Sequence, residues 1–326
     1  MFRILSLDGG GIKGAFSASV LATLEEDTGH RVVDHFDLIA GTSTGGILAI
    51  GLGLGMPARD ILKFYADKGP TIFPGTSLVT RTRGFLRQLF RPKHSHEVLR
   101  QALTEVLGTR KFGESQCRLV IPTYDAVAGR IFVMKTAHHE RFKYDIDAPA
   151  VDVALATSAA PTYFAAAPFP EHQNASYVDG GVWANCPALV GVTEAVGFLG
   201  QRLEDIDVLS IGCTTTPFNI AQHADSGIAQ WNAGLVELMF EGQVEATLAQ
   251  AKLLLSGRLH RINPLTMAGQ FSLDDAHPEK IRQLISLGRG EAVKKDNLDV
   301  VKARFMNGND VTKFVPFHSV KPGIEE

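Results

Sequence analysis

The chain has 326 residues, 45% of them hydrophobic and 21% charged, with a formal net charge of -3. That length and apolar content support a large core in one α/β domain, and the near-neutral balance gives no global attraction to nucleic acid or to an anionic membrane. Cys117, Cys186 and Cys213 stand far apart without C-x-x-C spacing, which argues against a disulfide framework or a zinc site and fits a reducing cytoplasm.

Phe2 to Leu7 reads as a buried first strand, because its apolar run meets Asp8 and three glycines before a signal-peptide core can develop. The next stretch, "LSLDGGGIKGAF" from Leu5 to Phe16, places Gly9, Gly11 and Gly14 in the G-x-G-x-x-G spacing of a dinucleotide loop. Asp8 is expected to end the strand and tie the loop by hydrogen bonds. A helix follows from Ala15 to about Glu26 and a second strand over Phe36 to Ala40, an order that makes the two strands parallel. Leu38 to Ala58 is uncharged over roughly the length of a membrane span. Its six glycines and the cluster Thr42, Ser43 and Thr44 instead favour a strand, a tight turn and a buried helix.

Helices are expected after Ser43 through Leu52, over Pro57 to Lys68 with a stop at Gly69, and over Ser95 to Leu107. Between the last two lies "TRTRGFLRQLFRPK", Thr80 to Lys93, with Arg83, Arg87 and Arg91 opposite Phe85, Leu86, Leu89 and Phe90. This basic amphipathic element reads either as a solvated helix face or as a lid that lies on lipid. Strands are expected at Arg118 to Pro122, Ile131 to Lys135, Tyr177 to Val178, Val208 to Ile211 and Leu259 to Ile262. A helical pattern covers Pro187 to Phe198, and three more cover Leu235 to Leu255, Pro278 to Leu287 and Glu291 to Phe305. The alternation predicts an α/β fold with a mostly parallel central sheet and helices on both faces. His94 with His96, and His138 with His139, lack a completing carboxylate or cysteine, so no metal site is expected.

Gly41-Thr42-Ser43-Thr44-Gly45 is G-x-S-x-G at a strand-to-helix junction. A nucleophilic serine has to project from such a strained turn, and the helix that follows offers amides and a positive dipole end to an acyl oxygen. The other reading is a glycine turn with Ser43 as a helix cap. For a base, His223, His260, His277 and His318 lie downstream, but none sits in a glycine-flanked loop at a strand end. Asp179 does, in "SYVDGGVWANCP", where an apolar strand delivers it to a turn of Gly180 and Gly181.

Taken in order, "DGGGIKG", "GTSTG", "ATSAAPTYF" (Ala156 to Phe164) and "DGG" resemble the motifs of the patatin-like phospholipases, over residues 8 to 181. The resemblance implies a three-layer α/β/α sandwich and a Ser-Asp dyad that hydrolyses fatty acyl esters of phospholipids or other glycerolipids through an acyl-enzyme. Ser43 attacks, and Asp179 takes its proton with no histidine between. Backbone N–H groups of Gly9, Gly10 and Gly11 serve as oxyanion donors, and neither cofactor nor metal is needed. An ordinary aspartate, with a pKa near ~3.9, is a feeble base, so desolvation of Asp179 is expected.

Lys13 then either orients the glycine loop and adds positive potential or is a solvent-exposed lysine. Asn185-Cys186 stands where the family often has two asparagines, and Cys186 reads as a small core residue. Residues 1–270 are expected to form the catalytic domain and residues 271–326 a helical C-terminal portion packed on it.

The chain is further similar to the patatin-like effectors of cyclic-nucleotide antiphage signalling. That likeness implies a cytoplasmic protein with a cyclic nucleotide activator, peripheral contact with membrane phospholipid, self-association and no nucleic-acid polymer partner. Competing readings are a constitutive lipid acyl hydrolase, a nucleotide-dependent oxidoreductase on the glycine loop, and a non-catalytic binding or storage protein.

Overall fold

The computed structural model describes residues 1–73, 94–173, 175–216 and 234–321; the basic element at 80–93 and His223 fall outside them. The strands are β1 (Phe2–Leu7), β2 (Leu38–Gly41), β3 (Arg118–Asp125), β4 (Arg130–Lys135), β5 (Ala167–Phe169), β6 (Ala175–Asp179), β7 (Ile206–Ile211) and β8 (Leu259–Ile262). They form one mixed sheet in the order β5-β6-β3-β2-β1-β7-β8, with β4 also paired to β3. From β3 to β8 the pairings are parallel, whereas β4, β5 and β6 add antiparallel pairs at the β3 end.

The helices are α1 (Gly14–Thr28), α2 (Val32–His35), α3 (Thr44–Gly53), α4 (Ala58–Ile72), α5 (His96–Leu107), α6 (Ala150–Ser158), α7 (Gly181–Ala184), α8 (Ala188–Gly197), α9 (Gly234–Leu255), α10 (Pro278–Ala292) and α11 (Lys295–Val300). Side chains alternate along each central strand, so neighbours enter different cores. Leu5, Leu7, Ile39, Leu119, Ile121 and Leu209 pack with α1, α3, α4, α5, α6 and α10. Ile4, Leu38, Ala40, Val120 and Val208 pack on the opposite face with α8 and α9. Two apolar cores divided by one sheet make the three layers of an α/β/α sandwich.

The register around β3 positions the site. Val120 pairs with Lys135 of β4 and with Ala40 of β2, and Thr123 pairs with Phe132 of β4 and with Asp179 of β6. Each β3 residue has one edge to either side, so β2 and β6 share the edge opposite β4. They run along it toward each other, and the last residues of both strands meet above β3.

Several boundaries differ from the sequence expectation for packing reasons. Helix α4 runs through Gly69 and Pro70 to Ile72, because Ile72 is buried and Gly69 lies so close to Ile12 that a Cβ there would come within 2.6 Å of its Cδ1. Helix α10 passes Gly288 to reach Ala292, since that glycine packs on the Phe16 carbonyl and the Ser19 side chain of α1. The helix expected from Glu291 to Phe305 starts at Lys295 and closes in a π turn over Val301–Phe305. Beyond it the chain is held by Arg3, which donates to the carbonyls of Phe305 and Asn309 at 2.9 Å each. The uncharged run from Leu38 is divided between β2 and α3, and among the described residues no helix is long and apolar enough to cross a membrane.

Candidate active site

Ser43 joins β2 to α3 with φ 55 and ψ -123. A non-glycine residue in that region costs about 1–3 kcal/mol, so the surroundings have to hold it. Thr42 N–H donates to the Leu7 carbonyl at 3.1 Å and Thr42 Oγ1 to the Ala184 carbonyl at 2.7 Å. Ser43 N–H donates to Thr157 Oγ1 at 3.0 Å, and that hydroxyl donates to the Pro122 carbonyl at 2.7 Å. The Ser43 side chain makes no capping bond to α3, which removes the helix-cap reading of this serine.

Its hydroxyl lies instead on the side of Asp179, the last residue of β6, and favours the charge of that carboxylate. Asp179 is 3% exposed and Ser43 8%. The Gly181 N–H donates to Asp179 Oδ1 at 2.7 Å, and the Asp179 N–H donates to the Ala159 carbonyl at 3.0 Å. Burial pushes the Asp179 carboxyl up to about 6, while Ser43 and the Gly181 N–H favour its charge. The site therefore sets a serine on a strained backbone at the cleft wall beside a desolvated carboxyl. The downstream histidines among the described residues are engaged elsewhere: His260 bonds Asn297, His277 caps α10, and His318 bonds the Glu140 carbonyl.

The glycine loop lies against this pair. A Cβ on Gly9 would come within 3.2 Å of Ser43 Cβ and 2.4 Å of Asn185 Oδ1, so only glycine allows this approach. Gly9 N–H, however, donates to the Asn185 carbonyl at 3.0 Å, which removes it from the three expected oxyanion donors. For Gly10 and Gly11 N–H no partner is found among the described residues. Gly11 has φ 57, and a Cβ there would stand 2.1 Å from the Leu273 carbonyl oxygen, which accepts from Ile12 N–H at 2.9 Å.

Asp8 departs from its expected role in tying the loop. Its carboxylate forms a buried ion pair with Arg261 of β8, Oδ2 to a guanidinium nitrogen at 2.5 Å, while Arg261 also donates to Ser210 Oγ at 2.7 Å. The pair raises the guanidinium above its ordinary range despite burial. Lys13 is half-buried and donates to the Thr214 carbonyl at 3.4 Å. Cys186 is a core residue as expected, its thiol pushed up to about 12 by burial.

These groups line a cleft of about 240 Å³. From α3, α4 and α5 it takes the apolar side chains of Ile47, Phe64, Ile72 and Leu99, and from the ends of β7 and β8 and from α9 it takes Thr214, Asn263 and Glu241. The histidine pairs are engaged elsewhere: His94 packs on Phe73, Tyr163 and Phe164, while His138 bonds Thr136 and Glu194. Sequence reasoning singled out neither Thr157, which bonds the Ser43 amide, nor Arg261, which neutralises Asp8. Thr157 belongs to the "ATSAAPTYF" segment and had that signal; Arg261 is one arginine in a short strand and had none.

Residues 5–192 match the family described as patatin-like phospholipase. A protein of Pseudomonas aeruginosa (strain BWHPSA011 / Pa011) named cGAMP-activated phospholipase is 37% identical over 256 residues, 77% of this chain and 75% of that protein. One of the same name from Vibrio cholerae serotype O1 is 31% identical over 327 residues, covering 90% of this chain and 91% of its own. Patatin-like protein 4 of Arabidopsis thaliana is 34% identical over 263 residues, 71% of this chain and 65% of that protein.

Proposed function

Because the chain belongs to the patatin-like phospholipase family and is a lipid hydrolase, we propose that it cleaves fatty acyl esters of membrane phospholipids with Ser43 as nucleophile and Asp179 as base. The observation that carries this assignment is that Ser43, on its strained strand-to-helix turn, and the buried Asp179 carboxyl line the same cleft, with the serine favouring the carboxylate's charge.

In the proposed mechanism Asp179 takes the hydroxyl proton as Ser43 Oγ attacks the ester carbonyl. The oxyanion of the tetrahedral intermediate accepts from Gly10 and Gly11 N–H, and such donors are worth roughly 100- to 1000-fold each in turnover. The proton passes from Asp179 to the leaving alcohol as the carbon–oxygen bond breaks, leaving an acyl-Ser43 ester. Asp179 then deprotonates a water that attacks this ester, and fatty acid and free Ser43 result. Gly9 contributes by its missing side chain, which lets the loop lie against Ser43.

We further propose that a cyclic dinucleotide switches the enzyme on. Support comes from the bacterial relatives named cGAMP-activated phospholipase that align with most of this chain. The test is fatty-acid release from phospholipid vesicles by wild type, Ser43→Ala and Asp179→Ala, with and without cGAMP. Release by wild type alone, and only with nucleotide, is expected. Undiminished release by Ser43→Ala overturns the nucleophile, and equal wild-type release without nucleotide makes the enzyme constitutive.

A further inference from the structure

One end of the cleft is polar in a way the serine-aspartate chemistry does not require. Strand β7 leaves the sheet through Cys213, Thr214 and Thr215, and Thr214 sits there at φ 68, a region that a β-branched residue rarely occupies. Several bonds hold the turn: Lys13 Nζ donates to the Thr214 carbonyl at 3.4 Å, Asn263 Nδ2 donates to Thr215 Oγ1 at 2.6 Å, Thr215 N–H donates to the Pro264 carbonyl at 3.1 Å and Thr266 N–H to the Thr215 carbonyl at 2.9 Å. Thr214 is 3% exposed and lines the cleft, yet among the described residues neither its hydroxyl nor Asn263 Oδ1 has a hydrogen-bond partner. Backbone strain beside unsatisfied polar groups marks a place completed by something bound.

Charge is unevenly paired there. Arg261 is neutralised by Asp8. Lys13 and Glu241 both line the cleft, and neither makes an ion pair within 4 Å among the described residues. Glu241 is half-buried, and burial raises its carboxyl above the ordinary range, with Lys13 and Arg261 favouring its charge and Asp8 and Glu245 opposing it. The end thus offers one cation and one carboxylate that form no ion pair within 4 Å among the described residues.

We propose that this end is the head-group subsite of the cleft and that it selects a zwitterionic phosphodiester, the phosphate taken by Lys13 and the ammonium group by Glu241. Thr214 acts as a positioning residue, since its strained backbone turns the carbonyl that holds Lys13. The inference rests on the hydrolase reading above. A free phosphodiester such as a cyclic dinucleotide has the same phosphate chemistry, but in this place it would exclude the substrate rather than activate the enzyme. The lipid head group is the occupant that the continuity with Ser43 favours.

The experiment uses the full chain, with cGAMP where release requires it, on vesicles of equimolar phosphatidylethanolamine and phosphatidylglycerol carrying distinguishable acyl chains. p-Nitrophenyl butyrate serves as an ester without a head group. Wild type is expected to favour phosphatidylethanolamine by about tenfold, and Glu241→Gln to bring that ratio close to one. Lys13→Met should lower release from both phospholipids about tenfold relative to p-nitrophenyl butyrate. Thr214→Gly, which tolerates the positive φ, should keep the wild-type lipid ratio, whereas Thr214→Pro, whose ring fixes φ at about -65°, should raise KM for both lipids more than it lowers kcat. The proposal is overturned if Glu241→Gln retains the wild-type ratio, or if Lys13→Met slows all three substrates equally, as it would by acting on the glycine loop alone. Inhibition by the nucleotide, competitive with lipid and lost in Lys13→Met, would assign the subsite to the nucleotide instead. Absence of Ser43-dependent release from every substrate would count against the hydrolase reading itself, and the inference would fall with it.

Discussion

Ser43, just past the end of β2, and Asp179, the last residue of β6, come together where the two strands meet end to end on one edge of β3. Strand β2 reaches that junction parallel to β3 and β6 reaches it antiparallel, so two chain ends that point at each other bring hydroxyl and carboxylate together without a third residue between them.

The pH dependence of turnover should report Asp179. Burial lifts its carboxyl to about 6, and a base works in its deprotonated form. Turnover of a soluble ester should therefore fall about tenfold per pH unit below that value and level off about one unit above it. A rate that stays flat down to a pH of about 4.5 would exclude Asp179 as the base.

The same burial predicts a stability effect of opposite sense to activity. A carboxyl whose folded pKa is raised from 3.8 to about 6 gives stability that is complete below the lower value and lost as pH rises through the upper one. Asp179→Asn should abolish turnover yet stabilise the protein above that range, by an amount of order 3 kcal/mol, with the gain vanishing in acid. Thermal melts of both proteins at several pH values measure it; an acid-side gain or none at all refutes the desolvation argument.

Strain at Ser43 makes a separate prediction. At φ 55, glycine meets no steric penalty where serine does. Ser43→Gly should raise unfolding free energy by about 1 kcal/mol, while Ser43→Ala, which keeps the Cβ, should not. Chemical denaturation of the two inactive variants would distinguish them.

The Asp8–Arg261 pair lines the cleft with little exposure, 3% for the Asp8 side chain and 14% for that of Arg261. Replacing one partner leaves the other charge stranded, so Arg261→Met should destabilise by about 3–5 kcal/mol. Asp8→Asn combined with Arg261→Met should recover most of that loss. If the double variant is as unstable as the sum of the singles, the two residues are not coupled as described.

The two glycine motifs and Asp179 were readable because each had local punctuation: an apolar strand, then glycines, then a helix pattern. Helix ends were harder. Gly69 and Gly288 look like stops in isolation, but both lie where another helix or side chain approaches closely, and packing carried their helices onward. The three-residue strand β5 had too few residues to show a period.

The division runs through the site itself. Residue order alone identified the turn that carries Ser43, the turn that carries Asp179 and the glycine loop, since each is a backbone requirement met within a few neighbouring residues. Tertiary structure decided which amides of that loop stay free, with Gly9 N–H taken by the Asn185 carbonyl, and which charge answers Asp8, with Arg261 arriving on a strand far along the chain. Those outcomes depend on sheet order and register, which bring distant segments to one edge, and a window of adjacent residues carries no record of that encounter.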